Sequence, residues 1–419
     1  MIVDPSLVDK AYEFIRHVCE TFGPRFSCSD SEKNANLWIK DKFSEICDKV
    51  HREEFDTHPD KSPHGALKIT GFLIGISWLF IPTAFPFPIL SIALVVVGLI
   101  VLYSEFLQGY GWFSFLFKKG RSSNVYGVIK PRGEIKFRVM IEGHVDSAKQ
   151  MRMMVYESVP LKRFLLGLLF ILYTFVFAIV KLFLPSSAFP RFFMFQLAPA
   201  DLIYFIPWLV LFPCFLFVIW GLVGNEVVQG AADNLSGISC AYAVGSYLSE
   251  NRPQNVEVII GSMGSEENGS KGAAHFVKSH PDLLENTYVY VIDNAGAGNV
   301  FHITERDRMH GISSSTEVTS RMLQAAARYK EDNPESANFK LKVGLLGSGD
   351  SAPYIKAGFH AAQIVGKQEI SKKGKQIAKP PNWHTTRDTW EKISKKMLRD
   401  SIGVAIEFIK MVDGEHAPK

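Results

Sequence analysis

Cysteine is scarce in this chain of 419 residues. The five present, Cys19, Cys28, Cys47, Cys214 and Cys240, are odd in number and share no regular spacing, which argues against a disulfide-stapled fold and fits a reducing compartment. Charge of one sign is short as well. With 46 Lys and Arg against 42 Asp and Glu, the formal net charge of +4 is too small for the whole-chain field that draws a protein to nucleic acid. The basic run Lys372-Lys373-Gly374-Lys375 reads as a solvated loop. Met1 to Lys10 holds no apolar stretch of the kind a signal peptide needs.

Some stretches lack charge altogether. From Ile69 to Ser104 there is no charged residue, and Pro82, Pro86 and Pro88 break the run near its middle. That is enough for two spans of about 18 residues, each near 27 Å, joined by a proline turn. A second apolar block runs from Phe164 to Val180, passes Lys181 and Arg191, and resumes from Leu202 to Asn225. Pro207 and Pro213 within it are compatible with a kinked membrane helix. The 47% hydrophobic content is therefore local excess. Buried helices of a large soluble fold, or an apolar lid, are the alternative.

The expectation is four transmembrane helices in two hairpins, the first span being the most diluted by Gly71, Gly75 and Ser77. Residues 1–65, 118–157 and 224–419 are expected to close as one domain, interrupted by hairpins over 66–117 and 158–223. An even number of spans in each insertion returns the chain to the side it left. Lys61, Lys68, Lys118, Lys119, Arg121, Lys149, Arg152, Lys162 and Arg163 flank the domain side, against Lys181 and Arg191 opposite. The positive-inside rule then puts the domain on the cytoplasmic side of the bilayer.

Outside the hairpins, apolar spacing predicts helices over Pro5–Glu20, Ser31–Val50, Leu235–Ser249, Glu317–Tyr329 and Trp390–Met411. It predicts strands at His51–Phe55, Asn124–Ile129, Lys136–Glu142, Val256–Ser262 and Tyr288–Asp293. Strands alternating with helices imply an α/β fold with a mixed, mostly parallel sheet and helices on both faces. Functional residues of such sheets gather beyond the carboxyl ends of the strands.

Five potential metal donors occur in the order His144, Asp233, Glu267, Asp293, His384, and Glu266 stands directly beside the third. A pair of zinc ions needs nitrogen and carboxylate ligands, one carboxylate able to bridge, and a further carboxylate free to move protons. The chain has a residue for each task. A lone His on a strand is more often a satisfied core or surface residue than a ligand, and Glu266 alone reads as an ordinary carboxylate in a charged loop. The weight comes from all of them together, each at a strand end or helix start.

The donors lie in Ile141-Glu142-Gly143-His144-Val145-Asp146, Gly230-Ala231-Ala232-Asp233-Asn234-Leu235-Ser236-Gly237, Ser265-Glu266-Glu267-Asn268-Gly269, Val291-Ile292-Asp293-Asn294 and Trp383-His384-Thr385-Thr386-Arg387-Asp388-Thr389. With Gly23-Pro24-Arg25, Glu32, Ser123-Asn124-Val125 and Gly349-Asp350, these strings resemble the family-28 zinc metallopeptidases, which include bacterial aminopeptidases, glutamate carboxypeptidases and glutaminyl cyclases. The resemblance implies two zinc ions bridged by Asp233, one completed by Glu267 and His384, the other by His144 and Asp293. It implies a bridging water as nucleophile and Glu266 as the proton shuttle. Asp146 would fix the tautomer of His144.

Leu346 stands where many family aminopeptidases have a tyrosine, which leaves that oxyanion support in question. Asp350 is open to a pocket role or a helix N-cap, and Arg387 to a substrate carboxylate or to pairing with Asp388. The activity implied is that of a membrane-anchored exopeptidase, an aminopeptidase acting on peptides that include apolar or membrane-derived ones. Two other readings stand beside it. One is acyl transfer of the glutaminyl cyclase type, and the other a non-catalytic membrane scaffold like nicastrin or nicalin.

Overall fold

A computed structural model describes residues 2–83, 87–155, 161–183, 199–308, 310–344, 349–372 and 375–416. The chain divides into two units. One comprises Met1–Pro59, Lys119–Ala148 and Glu226–Lys419, the other Asp60–Lys118 and Lys149–Asn225.

The first unit is an α/β domain around one mixed sheet. Its strands are β1 (Lys49–Thr57), β2 (Gly120–Ile129), β3 (Phe137–His144), β4 (Val256–Met263), β5 (Thr287–Asp293), β6 (Val300–Asp307), β7 (Ile312–Ser313), β8 (Asn338–Gly344), β9 (His360–Lys372) and β10 (Lys375–Lys379). They run in the order β1-β2-β4-β3-β5-β9-β6-β7, with β8 on β6 and β10 on β9. The centre, β4-β3-β5-β9, is parallel. The flanks turn antiparallel, at β1-β2 and β2-β4 on one side and β9-β6 on the other.

Side chains of a strand alternate between faces, and both faces of this sheet are covered. Val139, Ile141, Val258, Tyr290 and Ile364 pack with Phe14, Ile238 and Phe408 of the helices Pro5–Phe22, Ser236–Glu250 and Lys395–Glu415. Met140, Ile259, Val289 and Val291 pack on the other face with Phe276 of the helix Lys271–Ser279 and with Tyr354.

The helix predicted over Ser31–Val50 ends at Ser44, and the chain enters β1 at Lys49, two residues before the strand expected from His51. Pairing with β2 over nine residues extends the strand into the apolar spacing that suggested a helix. The helix expected from Trp390 starts at Lys395, because the Ser394 hydroxyl accepts from the Met397 amide and caps it there.

The second unit is helical. Among the described residues, three helical segments are long and apolar enough to cross a membrane: Pro88–Leu107, Leu165–Phe183 and Ile203–Leu222, with mean hydropathies of 2.4, 2.5 and 2.3. The fourth expected span is different. The α-helix Ala66–Ser77 has 12 residues, followed by a tighter turn at Trp78–Phe80. Inside the unit, Ile74, Phe170, Leu211 and Phe215 form a small core, while Leu172, Ile203, Ile206 and Leu209 point outward. Among the described residues of this unit, Lys61 is paired in the interior with Glu105 at 3.1 Å and Lys181 with Asp201. Leu346 and Arg191, singled out from the sequence, lie outside the described residues.

Candidate metal centre

The donors converge at the carboxyl edge of the parallel strands. His144 ends β3, Asp293 ends β5, and Glu266 and Glu267 follow β4 by three and four residues. Asp233 sits in the turn that leads into the helix Ser236–Glu250. Two glycines let these pieces close up. A Cβ on Gly143 would lie 2.8 Å from the Ile238 nitrogen, and one on Gly237 would lie 2.3 Å from the Ile292 carbonyl oxygen. Three residues of the site loops, Ser265, Asn294 and His384, hold φ between 51° and 55°, a left-handed conformation uncommon in non-glycine residues.

Asp233 stands between the two histidines. Its Oδ1 lies 3.2 Å from His144 Nε2 and its Oδ2 lies 3.4 Å from His384 Nε2. Glu267 Oε2 is 3.2 Å from His384 Nε2, and Glu266 Oε2 is 3.6 Å from His144 Nε2. Two donor triads share Asp233: His144, Asp233 and Asp293 in one, Asp233, Glu267 and His384 in the other, each with its ligand atoms within 4.8 Å. A third grouping joins His144, Glu266 and Glu267.

The electrostatics fit a cation. Burial alone lowers the affinity of His384 for its proton, but Glu267 and Asp233 outweigh it and raise the imidazole to about 10. His144 is raised in the same way, with Glu266 the main opponent of burial. Burial, then Asp233, pushes Asp293 up to about 7. The two imidazoles are raised by the carboxylates packed around them, and Asp293 first by its burial and then by Asp233. Among the described residues, Glu267 Oε1 and His384 Nδ1 are buried with no hydrogen-bond partner, a costly state that a divalent ion would relieve at the carboxylate. Imidazole nitrogen and carboxylate oxygen are a zinc donor set.

Around the donors, each neighbour has a defined task. The Asp146 carboxylate accepts from the amides of Glu266 at 2.9 Å and Glu267 at 3.1 Å, so it holds the loop that carries both glutamates. The hydrogen-bond partner of His144 Nδ1 is the Asp146 main-chain carbonyl at 3.1 Å, with the carboxylate farther off at 3.5 Å. Both the carbonyl and the carboxylate of Asp146 thus face the ring nitrogen whose proton sets the tautomer of His144. Asp388 accepts from the amides of Ala232 and Asp233, while Arg387 is exposed. Asp350 begins a short helix without a capping hydrogen bond from its side chain, and it is buried beside the site.

Two residues had no role assigned from sequence. The fully buried Arg25 guanidinium donates to the carbonyls of Val145, Gly23, Gln229 and Gly230, and so ties the His144 loop to the Asp233 loop. Glu32 accepts from the Ser265 amide at 3.1 Å and the Cys28 amide at 2.6 Å, which anchors the glutamate loop from behind. The string Gly23-Pro24-Arg25 with Glu32 was the available signal. Its partners are main-chain atoms, which a sequence does not display.

The sequence model of Peptidase family M28 matches residues 219–409, a stretch that contains every donor except His144. The fold is similar to BSAP, a zinc aminopeptidase from Bacillus subtilis, with a TM-score of 0.54 and 15% identity over 97% of this chain and 95% of that one. It is similar to a leucine aminopeptidase precursor from Bacteroides thetaiotaomicron, with a TM-score of 0.52 and 13% identity over 96% of each chain. Porphyromonas gingivalis glutaminyl cyclase gives 0.51 and 13% over 97% of this chain and 98% of that one. At such identities the likeness is one of fold. No curated protein matched the chain. In the sequence of residues 219–409 and in its α/β fold, this protein resembles the family-28 zinc metallopeptidases.

Proposed function

We propose that this protein is a multi-pass, membrane-anchored exopeptidase with two zinc positions, cleaving peptides from the amino end. One observation carries the reading: two donor triads meet on a single carboxylate, Asp233, with Glu266 beside them. His144, Asp233 and Asp293 would hold one ion, and Asp233, Glu267 and His384 the other. When bound, zinc supplies Lewis acidity that polarises a peptide carbonyl and acidifies a water.

The rest of the work belongs to the chain. At 17% side-chain exposure, Glu266 is the most open of His144, Asp233, Glu266, Glu267 and His384, so its carboxylate can reach an incoming substrate. Burial, partly offset by His144, raises its affinity for a proton, as suits a group that takes a proton from the attacking water and returns it to the leaving amine. Ser270 Oγ, 3.3 Å from Glu266 Oε1, helps orient it. Asp146 keeps the Glu266 and Glu267 amides in register, so shuttle and ligand cannot shift independently.

The test is Glu266→Gln. The variant is expected to keep its zinc and lose about a hundredfold or more in turnover of an unblocked aminoacyl amide, the scale of a lost general base. Near-normal turnover would remove Glu266 from this role. Glutaminyl cyclase structures share the fold at the same level, so a cyclase is the second reading. Conversion of an N-terminal glutaminyl peptide to its cyclic form, without hydrolysis of leucyl substrates, would favour it.

A further inference from the structure

The face of the sheet that carries the metal donors continues past them. Met140 of β3 and Val289 and Val291 of β5 pack on the side of the Lys271–Ser279 helix, so His144 and Asp293, an even number of residues further on, share that side. On β9, Ala361 lies in the same cluster, which puts Gln363, Val365 and Lys367 on this face too. The register agrees: Val291 pairs with Gln363 and Asp293 with Val365. Gln363 Nε2 donates to Asp293 Oδ2 at 3.0 Å, so this row of β9 does reach the site. Lys367 stands one step beyond Val365, about 7 Å further along the strand and past the end of β5.

Lys367 is partly buried, and among the described residues no carboxylate lies within ion-pair distance of its ammonium. Glu369, the next acid along this face, is taken by His302 at 3.0 Å and Lys340 at 2.5 Å. Burial lowers the affinity of Lys367 for its proton, while Asp293 and Asp233 act against that loss. Both of those carboxylates belong to the donor set. A half-buried cation beside the site, with no carboxylate paired to it among the described residues, is matched by an anion that arrives with the substrate.

We propose that Lys367 is the receptor for a carboxylate carried by the substrate within one residue of the scissile bond. This rests on the peptidase reading. Two sources have this chemistry: the free terminal carboxylate of a dipeptide, and an acidic side chain on the residue released.

The experiment uses the zinc-loaded, full-length protein in detergent, as wild type, Lys367→Met and Lys367→Arg. Leucyl-leucine is compared with leucyl-leucinamide, and glutamyl anilide with glutaminyl anilide. The wild type is expected to favour the charged member of one pair by about tenfold or more in kcat/KM, chiefly through KM. Lys367→Met should bring that ratio close to one with zinc content retained, and Lys367→Arg should restore part of it. The pair affected identifies the source. The proposal is overturned by a wild type indifferent to charge in both pairs, by a preference that survives in Lys367→Met, or by an equal loss on charged and neutral members. If the wild type hydrolyses none of the four, the peptidase reading fails separately. Calorimetric titration with leucine, glutamate and leucinamide then decides the site. Tighter binding of the acids that vanishes in Lys367→Met supports it, and equal binding of acid and amide sinks it.

Discussion

Asp233 turns one carboxylate oxygen toward each histidine, so its loss is felt on both sides of the centre. Asp233→Ala is expected to abolish tight binding of both ions, read as metal per chain after gel filtration. Retention of two ions would contradict the shared-ligand assignment. Arg25 acts at one remove. Arg25→Ala strands the buried carbonyls of Val145 and Gly230, each worth about 1–3 kcal/mol when left unpaired. Thermal unfolding of the variant should come several degrees earlier, and zinc should bind more weakly, with Arg25→Lys recovering only part because it cannot fork between four carbonyls. Unchanged zinc affinity in Arg25→Ala would show that the clamp does not shape the centre. The candidate donors, which the fold brings together, were legible because each stands in a short string with its own neighbours. Arg25 and Glu32 were visible as residues but not as braces, since their partners are carbonyls and amides of distant loops.

At the scale of elements, the parallel strands were readable because β4 and β5 are short apolar runs bounded by turns. The strands from β6 to β10 were not assigned. β9 carries Gly366, Lys367 and Glu369 within its length, and only pairing with β5, β6 and β10 fixes it as a strand. The apolar segments pose a question of parity. β1 and β2 pair along nine residues on either side of the first insertion, so that insertion must leave and return on one side of a bilayer. If Pro88–Leu107 crosses, the chain from Ala66 to Phe80 must cross too, although it is about 22 Å long at helical rise and short of the usual span. This predicts that a single cysteine at Phe87, in a cysteine-free background, reacts with an impermeant reagent outside intact cells. One at Lys33 is expected to stay unreacted until the membrane is opened. Labelling at Lys33 in intact cells would reverse the orientation, and protection of both positions would mean that the first insertion does not cross.

For the molecule as a whole, charge patterning and donor order led to an enzyme interrupted by apolar helices, and the structure separates the same chain into an α/β unit and a helical one. In the proposed function, the α/β unit would hold two zinc ions on a shared carboxylate and use them to hydrolyse peptides. The most direct measurement is zinc per chain in detergent-purified protein, followed through chelation and stepwise return of zinc while hydrolysis of leucyl-leucinamide is recorded. Two equivalents are expected in the active protein, with loss of hydrolysis on chelation and recovery that is complete only when the second equivalent is back. Full activity at one equivalent, or hydrolysis that persists with no zinc bound, would contradict that function.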